Sequence, residues 1–497
     1  MEPNADRLAL YHLVLSPNWD QHAVIAWEVV TMELQAALNS MQQAGLPAAV
    51  RQFGTALNAS WIDSALRETG TATVRKRRLP AETVVWLVIS MALFRNCSIN
   101  SVVAQLGLAL PGSKGIKATS SRTVAGSAVA QSRERLGDEP LQAIFERSAE
   151  TWTDNAADAD RWRGLALYGV DGSVLKVPDT ADNEEAFGRP GSRFAPAGYP
   201  QVRLVVLMAL RSHLVRAAAV GACRGKGTQE QRLARQLWSS VPEQSLTILD
   251  KGFLNYGALH RLRHDENGGV TARHWLVPAR SNSRFTVLQT LGDGDELAEV
   301  PILRLARKQY PRAPKTMKLR IITYQVEGWP VRRLFTSLLD HEQYPADEIA
   351  TLYHERWEVE LGYGELKTQM LERKESLRSR KPKGVRQEVW GILIAYNLVR
   401  LKMMEAAELA GVAPTRISFK NSLHLIRVFS QVNAWAAPAG TMPTQHQMLL
   451  DMLAVLISPE RRPERHYRRH VKVIKSGHLR NPGRAATIEL YKTRKLK

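Results

Sequence analysis

Between Tyr353 and Lys367 the chain carries a phenol, a guanidinium, a carboxylate and an ammonium, at Tyr353, Arg356, Glu360 and Lys367. Pro345 reads as a helix start, and Ile349, Leu352, Val359 and Leu366 recur behind it at helical spacing. At roughly 100° per residue the four polar groups fall at about 0°, 300°, 340° and 320°, an arc of about 60°. Glu355, Glu358 and Glu365 land near 200°, 140° and 120°, well away from it (about 100° per residue again). The apolar stripe of Leu352, Val359 and Leu366 lies beside the polar arc, which puts Glu360 at the edge of a buried face. A carboxylate in the company of a phenol and two cations suits a metal-held phosphate. The same pattern also describes an ordinary solvated helix face, so the rest of the chain has to decide.

Two further carboxylates stand at the ends of strand-like runs. Residues 165–170 and 173–177 flank Asp171-Gly172, and residues 245–249 lead into Asp250, followed by Lys251-Gly252-Phe253. Each has a plainer reading. Asp-Gly between apolar runs makes a good two-residue hairpin turn, and Asp250 ahead of Lys-Gly can simply close a strand. Residues 202–210 and 214–220 continue the strand pattern and 228–238 read as a helix. Several strands, a helix and a further strand form the order of an RNase H-like core, where carboxylates gather at strand ends.

The elements around these residues sort into blocks. Residues 22–45 and 60–68 are helix-prone, with Trp27 and Trp61 as anchors; Pro80 then opens an apolar helix over 81–94, and 131–153 read as another. Arg75, Lys76, Arg77 and Arg78 precede Pro80, either as a phosphate-contacting cluster or as a basic turn before a core helix. After Asp250, residues 274–278, 302–305, 318–326 and 331–339 read as strands, bounded by turns such as Gly292-Asp293-Gly294-Asp295. They form a β-rich insertion that splits the core. A helix over about 387–407 closes it. The expected class is α/β (α+β) and multidomain. A helical leader occupies 1–55 and an all-α DNA-binding domain 56–155. A catalytic domain follows over 160–430, with its insertion at about 255–342, and then a helical, basic tail over 431–497.

Charge narrows the function class. Of 497 residues, 68 are Lys or Arg and 48 Asp or Glu, a net charge of +20, which points to a partner with a dense row of phosphates. Residues 460–497 hold thirteen Lys/Arg against three Glu, and the stretch behind Lys367 carries Lys374, Arg378 and Arg380. Cys97 and Cys223 make no CxxC pair, so reduced thiols and no disulfide frame are expected. No export leader is evident before Gln21, and the apolar runs are too short to span a bilayer. A cytoplasmic protein with no membrane partner is expected.

Taken together, Asp171, Asp250 and Glu360 resemble the DDE triad of a cut-and-paste transposase. The spacing Tyr353-x2-Arg356-x3-Glu360-x6-Lys367 matches the YREK signature of the insertion-sequence-4 family in full. Asp250-Lys251-Gly252-Phe253 resembles that family's D-x-G-F, and Asp171-Gly172-Ser173 its D-G-[ST]. Arg78-Leu79-Pro80 with Met91-Ala92-Leu93-Phe94-Arg95 is similar to its N-terminal domain, and Leu377-Arg378-Ser379 with Val385-Arg386-Gln387-Glu388 to the segment behind the signature. The likeness spans about residues 60–407. One departure stands out: some relatives hold a flipped base with a tryptophan where this chain has Arg332, with Trp329 three residues earlier.

The resemblance implies two Mg²⁺ ions about 4 Å apart, for which Mn²⁺ substitutes. Asp171 and Glu360 would share ligation across the pair and Asp250 complete one site. It implies hydrolysis at terminal inverted repeats, hairpin ends and transfer of the freed 3′-hydroxyl into target DNA. Arg356 would grip a phosphate bidentately, Lys367 act as a point charge and Tyr353 donate its hydroxyl. Arg75, Lys76, Arg77, Arg78, Lys374, Arg378 and Arg380 complete the expected DNA contacts. The partner the resemblance implies is double-stranded DNA, bound by a homodimer in the bacterial cytoplasm at the nucleoid. The alternatives are an inert or domesticated DNA-binding descendant, repressor or architectural, and another RNase H-like nuclease such as a junction resolvase. The intact triad and signature favour the active enzyme.

Overall fold

A computed structural model describes residues 50, 53, 56–72, 79–106, 124–157, 160–190, 198–224, 230–265, 267–325, 330–372, 376–436 and 442–459. Residues 22–45, 75–78 and 460–497, with Trp329 and Lys374, lie outside that set. The chain divides into two compact units, Met1–Ile457 and Ser458–Lys497, and every element below belongs to the first.

The N-terminal helices are α1 (Ala59–Glu68), α2 (Ala81–Leu93), α3 (Ile99–Gln105), α4 (Gly126–Leu136) and α5 (Glu139–Ala157). The Asn58 and Ser98 side chains cap α1 and α3 by accepting backbone N–H groups of Ser60 and Ser101. Every residue of α2 from Val84 to Leu93 is buried, as so apolar a run requires. The single helix expected over 131–153 is two, because Gly137 takes φ 75° and turns the chain between α4 and α5.

The sheet-forming region runs β1 (Ala166–Lys176), α6 (Ala181–Phe187), β2 (Gln201–Ala209), β3 (Val215–Ala222), α7 (Glu230–Ala234), β4 (Ser245–Leu249), α8 (Tyr256–Arg263) and β5 (Arg273–Pro278). It continues with β6 (Thr286–Gly292), β7 (Asp295–Pro301), α9 (Arg304–Gln309), β8 (Thr316–Tyr324) and β9 (Arg332–Thr336). These strands form one nine-stranded sheet in the order β3-β2-β1-β4-β5-β9-β8-β7-β6. β1, β2 and β3 form an antiparallel meander, β4 joins β1 in parallel and β5 joins β4 in parallel. From β5 outward every neighbour is antiparallel.

Three expectations change here. Asp171-Gly172 is not a hairpin turn: β1 runs straight through it, in unbroken register with β2 from Tyr168↔Ala209 to Lys176↔Gln201. Nine consecutive cross-strand pairs outweigh a local turn preference. Residues 302–305 are not a strand; they lead into α9, where Leu303 and Leu305 are both exposed. The helix expected over 228–238 is the short α7 followed by a tighter 3₁₀ turn at Arg235–Ser240.

The signature segment is one continuous but irregular helix. It begins as α10 (Ala346–Leu352), tightens to 3₁₀ at Tyr353–Arg356, resumes as α11 (Trp357–Gly364) and widens to a π turn at Glu365–Met370. Behind it runs α12 (Pro382–Ala410), 29 residues, opened by Pro382 in its first turn and ended by Gly411 in the left-handed conformation. Almost everything on α12 from Val385 to Val399 is buried, so this helix is the axis on which the helical layer packs. Its buried Asn397 binds the Val215 backbone through both side-chain atoms, at 2.9 and 2.8 Å. Helices α13 (Phe419–Ala436) and α14 (Met442–Ala454) flank it. The two faces of the sheet carry two apolar clusters, one with α11 and α12 and the other with Leu233, Leu237 and Leu259. Among the described residues no helix is long and apolar enough to cross a membrane.

Candidate active site

Parallel pairing of β1 with β4 runs from Ala166↔Ser245 to Val170↔Leu249 and stops there. Asp171 and Asp250 are the next residue on each strand, so strand register alone sets two carboxyl-bearing positions side by side. β1 continues against β2, while β4 breaks into a 3₁₀ turn at Lys251–Phe253 whose Gly252 N–H is accepted by the Asp250 carboxylate at 3.4 Å. Asp171 accepts the Gly172 N–H at 2.8 Å.

The signature helix lies lengthwise on β1. Gly169 meets Val359, since a Cβ there would fall 2.3 Å from Val359 Cγ2. The Tyr363 hydroxyl donates to the Asp171 carbonyl at 2.9 Å, and Lys367 Nζ donates to Ser173 Oγ at 3.2 Å. Steps of four along the helix therefore match steps of two along the strand. Four helical residues rise about 6 Å and two strand residues about 6.6 Å, so the two ladders stay in phase over three contacts. Glu360 follows Val359 and is carried over the strand ends by this packing.

Electrostatic coupling ties the group together. Burial, with Glu230 and Glu360 nearby, raises the Asp171 carboxyl from 3.8 to about 6, against the pull of the Gly172 N–H and Arg356. Arg356 donates to Glu360 at 3.0 Å and stacks 5.0 Å over the Trp357 ring. Burial works against the Arg356 charge, but Tyr353, Glu360 and Asp250 outweigh it and hold its pKa above the usual value. Burial keeps the Tyr353 phenol protonated, hence a donor. Side-chain exposure is 13% for Arg356 and 40% for Glu360, so the carboxylate is the open member of the pair.

Among the described residues no three His, Cys, Asp or Glu side chains are gathered tightly enough to hold a metal ion. The carboxylates thus face one another less closely than expected, with Glu360 turned to Arg356. As a donor set they still fit a hard divalent cation: they offer oxygen ligands only, and Glu230 and Glu360 add to burial in raising the Asp171 carboxyl.

A fourth carboxylate escaped the sequence reading. Glu230 at the start of α7 packs over Gly172, where a Cβ would come 1.8 Å from its Oε1. Burial and Asp250 raise its pKa while Arg203 opposes them. The available signal was the glycine inside a strand, a mark of close approach as much as of a turn. Beside Asp250 opens a cavity of about 450 Å³, lined by Lys251, Arg280, Arg332, Arg333, Tyr353 and Arg356 among others. It is rich in cations and lies at the C-terminal ends of β4 and β5. A larger cavity, about 610 Å³, sits among His260, His264 and His274 at the opposite end of β5, away from the carboxylates.

The remaining expected contacts are dispersed. Arg378 turns inward: its guanidinium donates to the Arg95 carbonyl and its backbone N–H to Glu388 at 3.0 Å. Arg380 is exposed, its carbonyl accepting the Thr180 hydroxyl at 2.8 Å. Arg75, Lys76, Arg77, Arg78 and Lys374 fall outside the described residues. Neither Cys97 nor Cys223 forms a disulfide.

Residues 47–146 match the family Insertion element 4 transposase N-terminal, and residues 164–398 match Transposase DDE domain. Transposase InsG for insertion sequence element IS4 of Escherichia coli strain K12 is 38% identical over 421 residues, covering 84% of this chain and 91% of that protein. Putative transposase InsZ of the same strain is 30% identical over 293 residues, covering 56% of this chain and 92% of its own. A cryo-EM structure of a piggyBac transposase synaptic complex with hairpin DNA aligns over 87% of this chain and 89% of its own, at 11% identity and a TM-score of 0.40. With such identity to InsG across nine-tenths of that relative, and both families matched in order along the sequence, the chain belongs to the insertion-sequence-4 transposases.

Proposed function

We propose that the chain moves an insertion sequence by cut-and-paste transposition, cleaving double-stranded DNA at terminal inverted repeats and joining the freed ends to target DNA. Strands β1 to β5 serve as an RNase H-like catalytic core. Strands β6 to β9 are its insertion, and the helices before β1, with the basic cluster Arg75, Lys76, Arg77 and Arg78, are a DNA-binding domain. The observation that carries this reading is the side-by-side register of Asp171 and Asp250 where β4 ends beside β1, with Glu360 coupled to Asp171 from the helix above.

Each step is an in-line displacement at phosphorus, and a phosphodiester repels nucleophiles until its charge is met. Asp171, Asp250 and Glu360 would hold Mg²⁺, or Mn²⁺ in its stead. Two bound ions would activate the attacking water or 3′-hydroxyl and stabilise the leaving oxygen. The protein's own groups do the rest. Arg356 offers a planar fork to a phosphate oxygen, Lys367 a point charge beside Ser173, and Tyr353 a hydroxyl donor in the cation-lined cavity. Lys251, Arg280, Arg332 and Arg333 extend that field over the backbone of the DNA end. Exposed Arg380, with Lys374 near it in sequence, would add to the contact; Arg378, spent on Arg95, is left out of the set.

Because one active site can open and rejoin a strand in successive steps, hairpin ends followed by strand transfer are the proposed route. A homodimer pairing two ends is the proposed assembly, acting at the bacterial nucleoid in the cytoplasm. The test is purified full-length protein on a duplex carrying the inverted repeats that flank its own gene, with Mg²⁺ or with EDTA. Expected is a Mg²⁺-dependent break leaving a 3′-hydroxyl, absent in Glu360→Gln, which still binds the end. Wild-type nicking by Glu360→Gln would overturn the assignment, and binding without any cleavage by the wild type would favour a repressor or architectural protein.

A further inference from the structure

The acids of the signature helix that point away from Asp171 are held by a second set of partners. Arg211 donates to both Glu355 oxygens, at 3.1 and 3.0 Å. His213 places Nε2 2.9 Å from Glu358 Oε2 and Nδ1 3.3 Å from Glu365 Oε2. Both residues come from the short turn between β2 and β3, at residues 210–214. Helix α12 closes the group from behind. Tyr396 donates to Glu365 Oε2 at 2.7 Å, Arg400 approaches Oε1 at 3.4 Å, and Arg400 Nε donates to the Ser212 carbonyl at 2.8 Å. Burial would raise the Glu365 carboxyl, but Arg400, His213 and Tyr396 hold it down at about 2. The His213 side chain is 2% exposed, and its backbone sits at φ 60°, in the left-handed region.

The positions of the two gripped acids give the arrangement its meaning. Glu358 precedes Glu360 by two residues, and Glu365 follows it at the point where α11 widens to the π turn. One imidazole bridging both fixes the rotation and axial position of the segment between them. The turn that presents it grows directly out of β2, which is paired to β1 through Val206↔Asp171. The strand pair bearing Asp171 therefore grips the back of the helix bearing Glu360. A helix that changes from 3₁₀ to α to π has no regular ladder of its own to fix that phase.

We propose that His213 is a positioning residue for the transposition chemistry: it ties the Glu360 segment to the β2–β1 frame and so sets the spacing between Glu360 and Asp171. This rests on the reading of Glu360 as a catalytic carboxylate. The His213 side chain is 2% exposed and its two acids 16% and 13%, so the effect belongs in turnover and not in end binding.

The test is His213→Asn. Asparagine adopts the left-handed backbone readily, so the turn is kept, while its side chain is too short to bridge both acids. Expected are an end-DNA Kd and KM within about twofold of wild type, and a cleavage kcat lower by about tenfold or more. Amide hydrogen exchange over residues 357–370 of the DNA-free protein should quicken. Glu358→Gln, which alters one arm only, should give a smaller loss in kcat with the same KM, and it carries the test if His213→Asn does not fold. A wild-type kcat in folded His213→Asn, a parallel loss of kcat and binding, or unchanged exchange over 357–370 would overturn the proposal. A wild-type protein that never cleaves would instead overturn the functional reading, and the exchange comparison would still report on the clamp alone.

Discussion

Replacing Asp171 by asparagine should make the metal-free protein more stable while it removes activity. The substitution keeps the side chain's shape and an oxygen that can accept the Gly172 N–H, now at 2.8 Å. Burial, Glu230 and Glu360 lift the carboxyl from 3.8 to about 6. At ~1.4 kcal/mol per pH unit, that elevation is worth up to ~3 kcal/mol. The sign follows from linkage: a carboxyl whose folded pKa exceeds its unfolded one contributes stability below the unfolded value and loses it as pH rises through the folded one. At about pH 7.5 in EDTA, ionised Asp171 therefore opposes folding, and Asp171→Asn should gain up to ~3 kcal/mol. Roughly half of the gain should remain at about pH 5, where the folded carboxyl is mostly protonated. Adding Mg²⁺ should reverse the order, since an ion bound by the native site stabilises only the wild type. Urea unfolding followed by tryptophan fluorescence, at both pH values and with and without Mg²⁺, reads all four arms. A variant less stable than wild type in EDTA at the higher pH, or a gain that does not shrink on acidification, would refute the reasoning.

Two further outcomes are expected. Arg356→Ala removes the partner 3.0 Å from Glu360 and one cation from the 450 Å³ cavity. The slope of log K for end DNA against log salt should fall by about one, and an unchanged slope would exclude a phosphate contact. Glu388→Gln strips the counter-ion from buried Arg95, 2.7 Å away, both side chains being under 5% exposed. It should cost about 3–5 kcal/mol in denaturant unfolding, and a loss under about 1 kcal/mol would mean that the pair is dispensable to the link between α2 and α12.

The signature and the candidate acids Asp171, Asp250 and Glu360 could be picked out because their information is local. Strand runs ending in aspartate, and a helical spacing around Glu360, appear in the sequence without any long-range knowledge. The projection at about 100° per residue separated Glu355, Glu358 and Glu365 from the polar arc, although the helix is 3₁₀ and π in part. Their partners were not legible. Arg211 and His213 lie more than a hundred residues upstream, and only the sheet brings them behind the helix. At Asp171-Gly172 the plainer reading as a turn fails for the converse reason: pairing with β2 overrules a strong turn dipeptide. Glu230 was missed because its contact with Gly172 depends on where α7 crosses the sheet. β6 escaped because its side chains are exposed on both faces, which leaves no alternation to detect.

Everything returns to whether Asp171, Asp250 and Glu360 bind divalent ions together. Anomalous diffraction from crystals of the full-length protein grown with Mn²⁺ reads this directly. Peaks should lie within about 2.0–2.6 Å of carboxylate oxygens of all three residues, drawing Glu360 away from Arg356. Mn²⁺ peaks only at other acidic residues, with Glu360 still paired to Arg356, would contradict the metal-dependent mechanism.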